Sequence, residues 1–577
     1  MTSETQPEDP PQNPPEQTES FAETILKNID LSSLPDARSR ECVRQLLNLV
    51  ESLTGDLRKA QAEIQNLREQ LKKEPGGPGG PGKGNRNAGN PGSDGKKATS
   101  SEEERGEPRE WKKRTKLDRV RVDREQKVDV DQETLPADAE FKGYEEVVVQ
   151  DLQIRTDNVK FLKAKYYSAS QKKTYLAPLP TGYAGEFGPG VRAACLVFSY
   201  ACNMTEPKIA QTLADFGIQI SAGQISHLLI GGAETFHAEK AAVVEAGLRS
   251  SPWQHLDDTP SRVEGKNWHC HVLCNPLFAA YFTTERKDRL TVMDVLRNQR
   301  ERVYRINAET VALLVHNGAP QKVLEAMAGL PKNQDFSELA LEALLQHHLP
   351  GLGATSQHAV REAAAMAAYH AQTEHPVVRL LLCDDAKQFK RITEELSLCW
   401  IHDGRQYKSL EPCVPLHQSL LNAFLQQYWD FYKQLRQYRH APSTDDAAQL
   451  TQQFDRLFST VTGYDALDQR IARTQAKKPH LLMVLLHPEI PLHNNPAELG
   501  ARLRVRKRVI SYGNRSRQGT QAWDTFHTLL GTAKKLGVNF FQYIRDHVSG
   551  APQTPSLAEL IDERAKTLNL GASWAPL

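Results

Sequence analysis

Cysteine is scarce, with eight in 577 residues, and most lie inside apolar runs such as AACLVFSYAC and LLLCDD. That usage suits small core side chains in a reducing compartment and argues against a disulfide framework. No apolar stretch approaches the roughly 18 residues that a membrane span requires. The opening MTSETQPEDPPQNPPEQTE lacks the basic start and apolar centre of a signal peptide. A cytoplasmic protein with no membrane partner is the expectation. Net charge is nearly absent too, at +1, so any attraction to phosphate must come from local clusters. No GxxxxGK[ST] cradle occurs, and ATP is therefore not implied.

What is present is length and segmentation. A chain of 577 residues exceeds the roughly 100–200 of a single domain, so several domains, or a core with large insertions, are expected. Residues 1–35 open with a Pro, Glu, Gln and Thr-rich stretch that has little to bury, and a disordered tail is expected there. Over 36–73, Leu46, Val50, Leu53, Leu57, Ala60, Ile64, Leu67 and Leu71 alternate spacings of four and three, which keeps one apolar seam on one side of a helix. The seam predicts a coiled coil and a homo-oligomer; an amphipathic helix folded back on its own chain is the other reading. Residues 74–118 are rich in Gly, Pro and Ser, the composition of a flexible linker.

Residues 119–186 alternate apolar and polar side chains, as in VRVDREQKVDVD and EEVVVQDLQIRT, and predict a small β-rich module. Residues 187–248 turn helical. Within them EPKIAQTLADFGIQISAGQISHLL, divided by Gly217 and capped at Ser221, has the outline of a DNA-binding helix-turn-helix, or equally of two scaffold helices. Residues 249–513 carry the β-type runs WQHLDDT, NWHCHVLCN, FAAYFTTER and VVRLLL, interrupted by helical insertions at 301–375 and 403–487. Helices are expected again over 514–577.

Three acids stand where apolar β sequence or a turn gives way to polar sequence. Asp257 ends the apolar half of WQHLDD, Asp384 follows LLLC, and Glu498 falls in the first turn of a helix introduced by NNPAE, with Asn495 as cap and Pro496 at the first helical position. Phosphodiester chemistry needs an activated nucleophile, a stabilised pentacovalent centre and a neutralised leaving oxygen. Two magnesium ions about 3.5–4 Å apart supply all three. Such ions keep several waters and take few carboxylates, so three acids from distant stretches are suitable equipment. An Asp after a strand is more often a turn or cap residue, and the chain has 71 acids. Asp258 and Asp385 are neighbours that could substitute, but strand alternation points adjacent side chains to opposite faces, and the first of each pair is favoured.

Arg502 follows Glu498 by one turn and Arg506 by two, which gives the helix one face of acid backed by guanidinium groups. With Arg504, Lys507, Arg508, Arg515 and Arg517 they form the densest basic patch in the sequence, the expected contact for DNA backbone. A solvated charged helix is the plain alternative; Tyr512, beside Gly513 and Asn514, favours binding. His269, Cys270, His271 and Cys274 superficially resemble a zinc site, yet adjacent strand residues diverge and no second Cys/His pair follows at suitable spacing. Cys399 and His402 of CWIH read as core and surface residues, the histidine within approach of DNA near the acids.

These segments together, LDDTPSRVEGKNW, LLLCDDAKQF with CWIH, PLHNNPAELGARLRVRKR and QAWDTFHTLLGTAKKLGVNFFQYIRD, resemble the insertion sequence 66 family of bacterial transposases. The resemblance runs from about Phe187 to Val548 and is strongest in the NNPAE helix and the KKLGVNFFQYIRD tail. It implies a DDE transposase: a multidomain α+β/α/β chain whose ribonuclease H-like mixed-sheet core cuts double-stranded DNA at transposon ends and joins the free 3′ hydroxyl to a target. It further implies Asp257, Asp384 and Glu498 as first, second and third acids holding two Mg2+ ions, for which Mn2+ can substitute. Arg502 takes the place of the arginine after the glutamate, and Trp268 matches in the second strand. A nucleoid-associated location and accessory proteins of the same element are also implied. The sequence departs from the family in four places. Residues 119–185 hold no cysteine, so the zinc segment of many members is not expected; Asp-Glu-Thr reads Asp257-Asp258-Thr259; Asp-Gly-Tyr reads Asp384-Asp385-Ala386; and 301–375 is longer than the family's. A ribonuclease H-like nuclease without strand transfer, and a catalytically inactive DNA-binding protein, are the rival functions.

Overall fold

The computed structural model describes residues 31–71, 122–136, 138–183, 185–550 and 553–574, with residues 26, 29 and 120 besides. The expected linker over 74–118, and most of the tail over 1–35, lie outside them. Helix α1 (Ala37–Leu71) starts where Asp36 accepts the backbone N–H of Ser39 at 2.8 Å. Its first half docks on helices that come much later in the chain. Glu51 accepts from the backbone N–H groups of Cys413 and Val414, at 2.7 and 3.0 Å, and from His417 Nδ1 at 3.0 Å. Asn48 donates to the Gly463 carbonyl at 3.0 Å. Leu47 is buried, whereas Leu46, Leu49, Val50, Leu53, Leu57, Ile64 and Leu67 remain exposed.

The β-rich module reduces, among the described residues, to one hairpin of β1 (Lys165–Ser168) and β2 (Lys173–Leu176). Alternation makes strands only where a neighbour pairs the backbone and a face covers the apolar set, and an isolated hairpin is marginal. Val128, Val130, Val147, Val149 and Leu152 instead stay exposed on a backbone without ladder bonds. Helices α2 (Pro189–Tyr200), α3 (Glu206–Asp215), α4 (Ala222–Ile230) and α5 (Glu234–Arg249) follow. Gly217, at φ +86°, turns the chain between α3 and α4, and Ser221 caps α4 by accepting from Gln224 N.

The centre of the molecule is a five-stranded mixed sheet of β3 (Trp253–Val263), β4 (Lys266–Cys274), β5 (Ala279–Thr284), β8 (Leu380–Cys383) and β9 (Glu395–Leu398). Its order is β5-β4-β3-β8-β9, antiparallel through the first three strands and parallel from β3 to β8 and β9. Glu264 and Gly265, both at positive φ, form the two-residue turn from β3 to β4 that strand twist favours. All four residues of β8 are buried, as a parallel strand covered on both faces requires. Between β5 and β8 come α6 (Arg289–Leu296), the short pair β6 (Tyr304–Arg305) and β7 (Asp335–Phe336), and helices α7 (Ala308–His316), α8 (Gln321–Ala328), α9 (Glu338–His348) and α10 (Ala354–Ala371).

After β9 the chain enters α11 (Trp400–Lys408), α12 (Pro415–Tyr438), α13 (Thr444–Phe458) and α14 (Asp465–Gln475). Trp400 anchors this helical block to the sheet. Its ring lies 5.4–5.7 Å from those of Tyr428 and Phe431, and its Nε1 donates to the Leu481 carbonyl at 2.8 Å. The chain then returns to the sheet through α15 (Asn495–Ser511), α16 (Arg517–Lys535), α17 (Phe540–Val548) and α18 (Leu557–Ala565). Ala497 and Ala501 of α15 close on Cys270, Val272 and Tyr281, while Leu256, Leu273 and Phe282 belong to the larger core. Among the described residues no helix is long and apolar enough to cross a membrane.

Candidate metal centre and nucleic-acid face

The parallel register decides how two of the acids meet. Trp253, Gln254 and His255 pair with Leu380, Leu381 and Leu382, so Asp257 and Asp384 each lie two residues past the last pair, on adjacent strands about 4.8 Å apart. Asp257 is not the end of its strand: β3 continues to Val263 as a ribbon with β4, and only its pairing with β8 stops at His255. Asp257 stands opposite Val272, whose side chain packs beneath α15. The acid therefore shares the face of the sheet that α15 covers.

Glu498 reaches that face because α15 lies unusually close to the strands. A Cβ on Gly500 would come within 2.8 Å of Val272 Cγ1, and the Gly500 carbonyl accepts from Tyr281 OH at 3.1 Å. Asn494 fixes the start of the helix. Its Nδ2 donates to the Leu256 carbonyl at 2.8 Å, its Oδ1 accepts from His255 Nδ1 at 3.0 Å, and its N–H donates to Cys399 Sγ at 3.2 Å. The helix thus begins one residue earlier than expected, with Asn494 in the cap position and Asn495 as the first helical residue. The Asn494 side chain clamps the sheet and makes no cap bond. Asn494 and Gly500 were not singled out in the sequence; an asparagine next to NPAE and a glycine two residues past the acid were the available signals.

The neighbours that could have replaced the first two acids are already paired. Asp258 Oδ1 meets Lys287 Nζ at 2.9 Å and its Oδ2 accepts from Gln388 at 3.1 Å. Asp385 is bound by Lys390 at 3.0 Å and Lys477 at 2.8 Å. Among the described residues, Asp257 accepts only the N–H of Asp258, and Asp384 only that of Ala386. Burial, together with the negative charges of Glu498 and Asp384, pushes the Asp257 carboxyl up to about 7. Burial likewise raises Asp384, opposed by its bond from Ala386 and by His402. Glu498 Oε2 takes the Arg405 guanidinium at 3.2 Å, while Oε1 is buried without a hydrogen bond, 3.6 Å from an equally unbonded His402 Nδ1. A cleft of about 310 Å³ opens beside Asp384 and His402, lined also by Asp385, Asp403, Gln406, Arg470 and Lys477.

Buried carboxylates that repel one another, and an orphaned carboxylate oxygen, fit a divalent cation in donor chemistry and charge. Among the described residues, the group whose ligand atoms all fall within 4.8 Å of one another is Cys399, His402 and Glu498. The residues of NWHCHVLC do not converge: Cys270 and Cys274 pack under α15, while His271 bonds Thr284.

The basic run divides by helical face. Arg502 and Arg506 are exposed, as are Arg515 and Arg517, and Arg508 is partly so. Arg517 is paired with Glu285 at 3.2 Å and Arg508 donates to the Pro260 carbonyl. Arg504 and Lys507 must be withdrawn from the expected DNA contacts, since they are only 1% and 3% exposed. Arg504 lies 3.2 Å from Asp524, donates to Thr283 at 2.8 Å and stacks over Trp523. Lys507 Nζ donates to Ser199 O, Ser199 Oγ and Met204 O. Both sit on the stripe that starts at Ala497 and Ala501, so they join α15 to the scaffold.

Residues 184–304 and 357–522 match the sequence model of the family described as Transposase IS66 family, which places the chain in the transposase class of nucleic-acid-processing proteins. The chain is also similar to a protein of Sinorhizobium fredii (strain NBRC 101917 / NGR234) named Uncharacterized protein y4jO, 32% identical over 308 residues, 53% of this chain and 94% of the other. The chain belongs to the IS66 family of transposases. The two matched segments leave out 305–356, the stretch that holds α7, α8 and α9.

Proposed function

We propose that this protein is the DNA transposase of an insertion sequence, with a ribonuclease H-like core in which Asp257, Asp384 and Glu498 hold two divalent ions, Mg2+ or in its place Mn2+. Three antiparallel strands followed by two parallel ones, with acids at the β3/β8 junction, support that reading of the sheet. The observation that carries the site is the contrast between Asp257, Asp384 and their neighbours: Asp258 and Asp385 are neutralised by lysines, while the first of each pair is left facing other carboxylates.

When bound, the ions supply Lewis acidity to the scissile phosphate and lower the cost of ionising the attacking hydroxyl. The protein's own groups do the remainder. Arg405 holds Glu498 by one oxygen and leaves the other toward the site. Arg502 and Arg506, one and two turns on, take backbone phosphates on the same side, with Arg508, Arg515 and Arg517 extending the track. The α3–α4 pair is a second double-stranded DNA contact. The exposed seam of α1 pairs subunits as a coiled coil within 36–73, so that two transposon ends meet in one complex, and accessory proteins of the same element assist. The test is a strand-transfer assay using a pre-cleaved end with a free 3′ hydroxyl. Wild type should join it to target, and Asp257→Asn, Asp384→Asn and Glu498→Gln should each abolish joining while DNA binding persists. Cutting without joining by the wild type would instead identify a nuclease, and joining by the variants would refute the assignment.

A further inference from the structure

His402 has no part in the three-acid account, yet it stands inside the same site. It lies on the first turn of α11, three residues after Cys399, at the end of the strand next to the one that leads to Asp384. Its Nδ1 and the Oε1 of Glu498 are both buried, both lack a hydrogen-bond partner, and are 3.6 Å apart. At 3.6 Å neither tautomer of the ring closes a hydrogen bond to the carboxylate, and with the proton on Nε2 the two atoms are facing acceptors that favour a positive charge between them. Bond lengths of roughly 2.0–2.2 Å to a bound ion put two of its donors about 3–3.5 Å apart, within a few tenths of an ångström of the separation seen.

The surroundings narrow what that ion meets. Arg405 occupies Glu498 Oε2 and so orients Oε1 toward His402, the way an outer partner fixes a metal-binding carboxylate. Cys399 Sγ is within reach of both atoms, but it accepts the N–H of Asn494 and is fully buried, which marks it as part of the clamp. The donor pair offered is one carboxylate and one imidazole. Magnesium gains little from imidazole; among the ions that share its carboxylate and water ligands, Mn2+ is the first-row transition ion, able to take a nitrogen donor as well, although more weakly than the later metals do.

We propose that His402, through Nδ1, is a ligand to the ion held by Glu498 Oε1, and that this position selects Mn2+ over Mg2+. The inference rests on the metal centre proposed above, and the experiment separates the two. Full-length protein stripped of metal is titrated with Mn2+, free ion is read by electron paramagnetic resonance, and bound ion is examined for 14N coupling by pulsed methods. Magnesium affinity is taken from competition. The variants are His402→Ala, His402→Gln, Asp257→Asn and Glu498→Gln. Wild type should show directly bound nitrogen that both His402 variants lose, with Mn2+ affinity down by about tenfold or more and Mg2+ affinity changed far less. Manganese binding that depends on Asp257 and Glu498 but carries no nitrogen coupling would overturn the role of His402 and leave the three-acid centre standing. Manganese binding indifferent to Asp257 and Glu498 would overturn both.

Discussion

At the scale of single residues, the decisive contrast is between charges that are satisfied and charges that are not. Asp257 prefers its proton, with a value raised from 3.8 to about 7. The metal-free fold therefore loses stability as pH rises from about 4 to 7, because the unfolded chain ionises this group first. Asp257→Asn removes that loss. In EDTA at pH 8 the variant should be more stable than wild type by roughly 2–4 kcal/mol, and the gap should shrink toward pH 4; thermal melts across pH measure it, and a variant no more stable at pH 8 contradicts the account. The basic run gives the complementary prediction. Arg504→Ala should cost about 3–5 kcal/mol, since buried Asp524 loses its guanidinium partner and keeps only its hydrogen bonds from Thr283. Arg502→Ala and Arg506→Ala should leave stability within about 0.5 kcal/mol and lower the salt slope of DNA binding by about one each. In the sequence Asp257 and Asp384 stand out because each follows an apolar stretch, and Glu498 because it falls in the first turn of a capped helix. The sequence misled at Arg504 and Lys507 because composition suggested a patch, whereas the 497, 501, 504 spacing, already apolar at its first two positions, marks a buried stripe.

At the scale of elements, α15 is the device that brings sequence-distant groups together. The strands β3, β4, β5 and β8 were legible as short apolar or alternating runs, and the NNPAE helix as a capped start. What could not be read was the parallel register, which sets Asp257 level with Asp384 across more than a hundred residues of intervening chain, and the close seat of the helix on Val272. Gly500→Ala tests the seat. Its added methyl would meet Val272 Cγ1 at 2.8 Å and must push α15 outward. Stability should fall by about 1–3 kcal/mol, while strand transfer falls about 100-fold, as expected when a catalytic group shifts by a fraction of an ångström to one. Unchanged transfer would show that helix height does not set the site. In the β-rich segment the opposite holds: residues 122–164 have strand-like alternation but, among the described residues, no neighbouring strand to pair with, and only the 165–176 hairpin forms.

At the scale of the whole molecule, helix α1 is both docked and open. Glu51 and Asn48 hold its first half to the α12 and α14 starts, while the leucine seam stays exposed. The first half of α1 is thus an intramolecular anchor, and the exposed leucines are where the proposed pairing with a second subunit can be tested. Leu53→Glu with Leu57→Glu should convert the protein to monomer in sedimentation velocity while leaving its melting temperature within a few degrees, because neither residue is buried in the chain itself. An unchanged oligomer would remove α1 from the interface. The central claim, however, concerns the sheet: that Asp257, Asp384 and Glu498 share divalent ions at the β3/β8 junction. Anomalous diffraction from crystals soaked in Mn2+ tests it directly. Two peaks about 3.5–4 Å apart, each bounded by at least one of these carboxylates, are predicted; saturating Mn2+ that leaves this junction without a peak would contradict it.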